Sequence, residues 1–346
     1  MRPSILFICG SINQTSQMHA IAQHLPECDC FFSPYYADGL FIEVIRRIGL
    51  TKSTVMGPKL ASRCLAYLRT HDLQIDHEGR QRHYDLVVTC SDLVVPRNVR
   101  GRKLILVQEG MTDPENLMYH LVRALRLPRY LASTSTTGLS HAYDYFCVAS
   151  EGYREHFARK GVNPEAIRVT GIPNFDNCRA FAENDFPHRG YVLVATSDAR
   201  ETFKLENRKR FILDCVAIAN GRPMIFKLHP NENVQRATRE VQRWAPGARV
   251  FATGNTNHMI ANCDVLITKY SSVVFVGLAL GREVHSYFDI DELRRLAPMQ
   301  NDGSSGRAIA EVCRCHINDV PVPERFEDLV RTPECMAKGI PQEVVR

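Results

Sequence analysis

Short, nearly continuous apolar runs recur along the chain, and many of them are rich in β-branched residues. Runs of this kind are typical of parallel strands that are buried on both faces of a sheet. In the first half of the chain they predict strands at Ser4–Cys9, Asp85–Cys90, Lys103–Gln108, Tyr143–Ala149 and Ile167–Thr170. In the second half they predict strands at Tyr191–Ala195, Met224–Leu228, Arg249–Ala252 and Val265–Thr268.

Stretches with an amphipathic, helical pattern separate these runs. They predict helices at Asn116–Leu127, Glu151–Lys160, Glu206–Asn220, Asn231–Trp244 and Ser272–Leu280. Because strand and helix alternate repeatedly, we expect an α/β protein with two doubly wound, Rossmann-like sheets and right-handed crossovers.

The two halves are expected to be separate domains, since 346 residues exceed one typical hydrophobic core. We place the first domain at residues 1–177, a linker at 178–190 and the second domain at 191–346. Residues 51–80 and 296–309 show no clear period. The polar loop at 301–306 is interpreted as a surface connection, with a lid over the site as the alternative.

The composition is that of an ordinary globular protein, with 45% hydrophobic and 23% charged residues. Lys and Arg total 43 against 38 acidic residues, for a net charge of +5. This excess is too small for a nucleic-acid-binding protein, but it allows attraction to anionic substrates or a bilayer surface. Basic stretches at Arg97–Lys103 and Arg123–Arg129 offer such a surface, although similar runs are more often solvated helix faces.

Twelve cysteines are scattered along the chain, several of them inside apolar runs. This distribution indicates buried, reduced thiols and therefore a reducing compartment, the cytoplasm. Two close pairs, Cys28 with Cys30 and Cys313 with Cys315, lack the spacing of ordinary zinc sites, so we expect no structural metal.

The first strand begins almost at the N-terminus, without the pattern of a signal peptide. No apolar run reaches the ~18 residues that span a bilayer. We therefore expect any membrane contact to be peripheral, on the inner face.

In open α/β sheets, ligands bind beyond the carboxyl ends of the strands. The segment Asp264–Ser272 ends a strand at Thr268 and places Ser271 and Ser272 where a helix begins. Backbone N–H groups, two hydroxyls and the positive helix end form a phosphate site that needs no metal, and Lys269 adds charge. The alternative is that both serines only cap the helix.

A second strand end carries His229 followed by Pro230, a residue suited to the first position of a helix. The imidazole is a donor for a phosphate oxygen, with Lys227 as a second candidate. A lone histidine is usually structural, but this one lies two strands before the paired serines.

Glu109, followed by Gly110, ends a strand in the first half. A carboxylate here is a candidate general base that takes the proton of an attacking hydroxyl. The alternatives are a solvated loop charge or a helix cap. Asp113 is a rival base, although its place before Pro114 favours an N-cap.

Three weaker candidates complete the set. Gly10 and Ser11 follow the first strand in a close-approach turn and are candidate donor-binding residues. The dinucleotide fingerprint and the P-loop are missing, which argues against a dehydrogenase or a P-loop phosphotransferase. The donor phosphates or sugar are predicted to lie near Thr196, Ser197 and Arg200, and the hinge near Gly171 and Asn174.

Together, three motifs resemble the GT-B glycosyltransferase superfamily, and most of all bacterial sialyltransferases and polysialyltransferases. They are the acidic-Gly motif at 109–110, the His-Pro motif at 229–230 and the Ser-Ser motif at 271–272. The resemblance implies two domains that face a central cleft. It also implies Glu109 as catalytic base, with His229, Ser271 and Ser272 on the donor phosphate.

Residues 170–176 and 264–272 also look like the corresponding stretches of CDP-glycerol glycerophosphotransferases, whose catalytic His is replaced here by Glu109. The non-hydrolysing UDP-GlcNAc 2-epimerases share the architecture. Their His-Arg pair after the first strand of the second domain is missing, and Ser197 and Asp198 stand there instead.

These features predict an inverting, metal-independent glycosyltransferase. The expected donor is a CMP-activated ulosonic acid such as sialic acid or Kdo, followed by CDP- and UDP-linked donors, and the acceptor is a hydroxyl of a glycan or glycolipid. No cofactor and no nucleic-acid partner are expected. The alternatives are a 2-epimerase-like isomerase, a CDP-polyol phosphotransferase and a non-catalytic nucleotide-binding protein.

Overall fold

A computed structural model describes residues 2–37, 58–197, 200–201 and 206–330 of the chain. Part of the unpatterned stretch 51–80 thus lies outside the described residues. The chain divides into two compact units, one formed by Met1–Asn174 with Gly303–Arg346 and the other by Phe175–Asp302.

Strands in the described part of the chain are β1 (Ser4–Cys9), β2 (Asp29–Pro34), β3 (Leu86–Thr89), β4 (Leu104–Val107), β5 (Tyr145–Val148), β6 (Ile167–Val169), β7 (Val192–Ala195), β8 (Met224–Lys227), β9 (Arg249–Phe251), β10 (Val265–Thr268) and β11 (Glu283–His285).

Helices in the same part are α1 (Ile12–Ala22), α2 (Pro58–Thr70), α3 (Leu117–Ala124), α4 (Glu151–Lys160), α5 (Arg208–Ala219), α6 (Val234–Trp244), α7 (Thr256–Asn262), α8 (Val273–Ala279), α9 (Ile290–Leu296), α10 (Ser305–Ile317) and α11 (Phe326–Val330).

The first unit contains a six-stranded sheet in the order β2-β1-β3-β4-β5-β6. Its neighbouring strands are all parallel. The order reverses at β1, so the boundary between β1 and β3 is the topological switch point, where ligands bind in such sheets. The core behind it contains Phe7 of β1 stacked on Phe32 of β2, with ring centroids 5.2 Å apart.

Helix α10 belongs to this first unit, and this corrects the predicted second domain, 191–346. Its residues Ala308, Ile309, Val312 and Cys313 are fully buried in the core that contains β1 and α1. The sequence pattern did not predict helix α10. Even for a predicted helix, the order of elements along the chain does not determine which of two cores its apolar face covers.

The second unit contains a five-stranded sheet in the order β11-β10-β7-β8-β9, and its pairs are parallel as well. Phe211 and Ile212 of α5 pack with Phe226 of β8 and Val265 of β10 in its core. Here the order reverses between β10 and β7, so the switch point lies where Thr196 and Lys269 follow the two strands.

The parallel, two-unit α/β fold class is confirmed, and each predicted strand and helix is present, with ends that differ by at most a few residues. The predictions did not include β2, β11, α1, α2, α7, α9, α10 or α11. In α1 the polar residues Gln14, Thr15 and Gln17 are buried, so its hydrophobic period is weak. The strand β11 has only three residues, which is too short for a clear pattern.

The eleven cysteines that lie in the described ranges are free, and all of these are buried except Cys30, which is half-buried. Within the same ranges no helix has the length and apolar character that a membrane span requires.

Candidate functional site

Glu109 follows β4, and its carboxylate is held by two residues from the start of α1. The hydroxyl of Ser11 donates to Oε1 over 2.8 Å, and the amide of Gln14 donates to Oε2 over 2.5 Å. Ser11 also caps α1, since its Oγ accepts from the backbone N–H of Gln14 at 3.2 Å. The carboxylate is half-buried, so it is oriented by charge-assisted hydrogen bonds and still reachable from solvent.

Gly10 provides the space for this arrangement. A Cβ at Gly10 would lie 1.9 Å from Oε1 of Gln14. The glycine therefore lets the Gln14 side chain lie across the turn after β1 and reach Glu109. Its predicted contact with the donor stays a prediction.

A second glutamine ties Gly110 to the neighbouring strand. The side chain of Gln108 donates to the carbonyl of Gly110 at 2.8 Å and accepts from the backbone N–H of Ala149 at 2.9 Å. Gln17 of α1 donates to the Gln108 carbonyl at 2.8 Å. The turn that carries Glu109 is thus held by hydrogen bonds to α1 and to the end of β5.

Asn174 also contacts α1. Its amide donates to the carbonyl of Asn13 at 2.9 Å and to Oε1 of Gln17 at 3.1 Å. Gly171 lies in the preceding turn with φ 70°, the left-handed region that favours glycine. Both predicted hinge residues thus belong to the first unit, and Asn174 lies near the start of α1.

Asp113, the rival base, is not an N-cap. Asn116 caps α3 by accepting from the N–H of Tyr119 at 3.1 Å. The Asp113 carboxylate instead accepts from the Thr134 hydroxyl at 2.9 Å. It is half-buried, as Glu109 is.

In the second unit, His229 follows β8 and lies in a turn. Its backbone N–H donates to Thr196 Oγ1 at 3.1 Å and to Glu232 Oε2 at 2.8 Å. Its ring Nδ1 accepts from the N–H of Asn231 at 3.2 Å, so the neutral ring carries its hydrogen on Nε2. The imidazole is thereby arranged as an Nε2–H donor.

Pro230 does not begin a helix, which corrects that prediction. Residues 230–233 form a turn, and α6 begins at Val234, capped by Asn233. In this turn the Glu232 carboxylate accepts from the backbone N–H of His229, and the helix begins only after the turn.

Thr196 follows β7 and is buried. Its hydroxyl donates to the Glu232 carboxylate, and Glu232 in turn pairs with the buried Arg208. Thr196, which was predicted to contact the donor, thus stabilises the turn that carries His229. Ser197, the next residue, is half-buried at the switch point.

Two of the predicted phosphate-binding cations form ion pairs with carboxylates. Arg200 makes two 2.8 Å hydrogen bonds to Glu240, and these bonds raise the pKa of Arg200. Lys269 is 2.7 Å from Glu206 and lies 4.4 Å from the ring centroid of Phe211.

The third cation, Lys227, is buried and donates to the carbonyls of Leu228 at 3.0 Å and Ala252 at 3.4 Å. Burial lowers the pKa of Lys227. All three basic side chains therefore have protein partners, and their predicted role in phosphate binding stays a prediction.

Ser271 and Ser272 follow β10 and are half-buried. Ser272 is at the N-cap position of α8, with φ −63° and ψ −14°, but its side chain makes no capping hydrogen bond. The interpretation of Ser272 as a side-chain cap is therefore wrong. Its hydroxyl lies at the β7–β10 switch point without that structural role.

The predicted residues form one cluster in each unit. The cluster in the first unit lies around the start of α1 and contains Glu109, Gly110, Gly10, Ser11 and Asn174. In the second unit, Arg200 lies with Glu240 of α6. The supporting residues that were not predicted are Gln14, Gln17, Gln108, Glu206, Arg208, Glu232 and Glu240. Gln14 follows Ser11 by three positions, and Glu232 follows His229 by three positions. This spacing is the sequence feature that could have identified them as supporting residues.

Within the described ranges, no three or more His, Cys, Asp and Glu side chains are grouped so that they could hold a metal ion. Metal independence itself stays a prediction.

No protein-family model matches the sequence, and no curated protein is significantly similar to it. Among solved structures, the chain is similar to a putative UDP-N-acetylglucosamine 2-epimerase from Listeria monocytogenes. The identity is 13%, the TM-score is 0.57, and 94% of this chain and 100% of the other are covered.

It is also similar to S. aureus MnaA, solved with UDP, at 11% identity and a TM-score of 0.56, with 94% and 100% of the two chains covered. A variant of the wall teichoic acid polymerase TagF aligns at 12% identity and a TM-score of 0.51, with 92% and 89% covered. At such identities the likeness shows the fold: two α/β domains of the GT-B type. The predicted cleft, the sialyltransferase resemblance and the cytoplasmic location stay predictions.

Proposed function

We propose that this protein is an enzyme that transfers a sugar from a nucleotide-activated donor to an acceptor hydroxyl, with inversion at the anomeric carbon. The observation that carries this proposal is the carboxylate of Glu109, half-buried after β4 and oriented by Ser11 and Gln14. Both partners lie at the start of α1, which follows β1 beside the switch point of the first sheet. A held, solvent-reachable carboxylate at this place is suited to general-base catalysis.

In the proposed reaction the acceptor oxygen attacks the anomeric carbon while its proton passes to Glu109. The bond between the anomeric carbon and the phosphate oxygen breaks, and its electron pair leaves with the nucleotide. The half-buried hydroxyls of Ser271 and Ser272 and the Nε2–H of His229 support a role as donors to that phosphate. Fixed donors of this kind are each worth about 3 kcal/mol of transition-state stabilisation.

The proposed donor class is a CMP-linked ulosonic acid, which rests on the three short motifs. A UDP-linked sugar is the second choice, and it is supported by the fold shared with MnaA, which was solved with UDP. The acceptor class is a glycan or glycolipid hydroxyl, and no divalent ion is required.

The epimerase alternative has equal support from the fold, since two of the similar structures carry that description. An epimerase converts one UDP-sugar into another without an acceptor. The two proposals are therefore separated by the need for a second substrate.

The test measures nucleotide release from CMP-sialic acid, CMP-Kdo and UDP-GlcNAc, with and without a mixed glycan acceptor. We expect release that depends on the acceptor and falls at least about 100-fold in Glu109→Gln. Glu324→Gln, an exposed site in the same unit, is the matched control.

Full turnover of Glu109→Gln would disprove the base assignment. Conversion of UDP-GlcNAc without acceptor would select the epimerase, and nucleotide binding without any conversion would select a non-catalytic protein.

A further inference from the structure

Residues 117–131 form an exposed apolar segment in the first unit. It contains six large hydrophobic side chains that are exposed to solvent, with Leu117 at 74% and Leu125 at 64%. The others are Met118, Leu121, Leu127 and Leu131. Scattered exposed leucines are normal on a protein surface, but six within fifteen residues are a local concentration of exposed apolar side chains, which is typical of an interaction site.

Helix geometry places the first of these side chains on one face. Leu117, Leu121 and Leu125 are spaced four residues apart, so they form one stripe along α3. The helix is attached through a different face, where Tyr119 and Val122 are buried and pack with Ala132. The stripe is therefore available, and the helix does not need it for its own packing.

Arginines accompany the apolar side chains, and no acidic residue occurs between Asn116 and Leu131. Arg123 and Arg126 are exposed within the segment. Arg129 is held by an ion pair of 3.0 Å with the buried Asp92. The other basic stretch, Arg97–Lys103, adjoins this segment, because Arg100 and Arg129 line one cavity of about 460 Å³ together with Leu127.

We propose that the exposed apolar segment docks this protein on the surface of an anionic lipid bilayer. A stripe of leucines flanked by arginines matches a membrane interface, where apolar side chains enter the acyl boundary and guanidinium groups stay at the headgroups. The charge complementarity favours an anionic bilayer over a second copy of this chain, which would bring the same arginines together. The inference does not depend on the proposed sugar transfer.

The test is co-sedimentation of the full chain with vesicles of phosphatidylcholine alone or mixed with phosphatidylglycerol, without any donor. We expect binding to the mixed vesicles that weakens as salt is added. The double variant Leu121→Ser/Leu125→Ser is expected to lower the vesicle affinity at least about tenfold. Arg126→Gln is expected to lower it about fivefold.

Two matched controls lie on α5 in the second unit. Leu213→Ser/Val216→Ser removes exposed apolar side chains, and Arg210→Gln removes an exposed arginine. Both should bind vesicles as the unaltered chain does. Circular dichroism verifies that each variant is folded.

No binding to anionic vesicles, or equal binding by the leucine double variant, would overturn the proposal. A dimer in light scattering that the leucine variant abolishes would assign the segment to a second copy instead.

Discussion

The amide of Gln14 donates to Oε2 of Glu109 across 2.5 Å, although the two residues are 95 positions apart in the chain. The bond joins the first turn of α1 to the carboxyl end of β4. It fixes the direction of the carboxylate that we propose as the general base. Gln14 is therefore a positioning residue for Glu109.

Replacement of Gln14 by Ala should lower kcat about tenfold with little change in KM, because a base displaced from its geometry affects proton transfer rather than binding. Acceptor-dependent turnover measured over a range of acceptor concentrations verifies this, since it separates the effect on kcat from the effect on KM. Gln23→Ala, an exposed glutamine just after the same helix, serves as control. An unchanged kcat would remove Gln14 from the machinery.

Gly10→Ala should reproduce the effect of Gln14→Ala on activity with only a small effect on stability. The added Cβ would meet the end of the Gln14 side chain, which is flexible and can move away, breaking its bond to Glu109. In a double-mutant cycle, Gly10→Ala should therefore have little further effect once Gln14 is Ala. Additive losses would show that Gly10 acts in some other way.

Arg208→Ala should destabilise the second unit by about 3–5 kcal/mol, because it removes the counter-charge of the buried Glu232 carboxylate. Arg208 contacts Glu232 and lies 3.7 Å from Glu206 and 3.9 Å from Glu240. Urea unfolding followed by circular dichroism measures the change. The neighbouring, exposed Arg210→Ala should shift the free energy of unfolding by no more than about 0.5 kcal/mol. Equal effects of the two variants would mean that the buried network adds no stability.

A nucleotide at about 100 times its dissociation constant should add about 2.7 kcal/mol, a rise of several degrees in Tm. A panel of CMP, CDP, UDP, GDP and NAD, each with and without EDTA, measures the shift. We expect CMP to give the largest shift, unaffected by EDTA, and Ser271→Ala/Ser272→Ala to reduce it. Loss of the shift in EDTA would contradict metal independence, and a shift with UDP alone would move the donor to a UDP-sugar.

The sequence by itself determined the class of the fold and the places where chemistry is expected. Buried parallel strands require continuous apolar runs, and this local requirement located β1 and β10 with their observed bounds. Polar residues directly after such runs must lie at the carboxyl edge of a sheet, and Glu109, His229 and Ser271 do follow β4, β8 and β10.

The tertiary structure decided how those residues are held. Gln14 and Arg208 acquire their roles from partners that are distant in the chain or in other loops, and the predicted cations Arg200 and Lys269 turned out to pair with carboxylates. It also decided that α10 completes the first unit rather than the second. A local sequence pattern predicts whether a side chain is buried. The partner of that side chain in the core depends on contacts between distant segments, which form only when the chain folds.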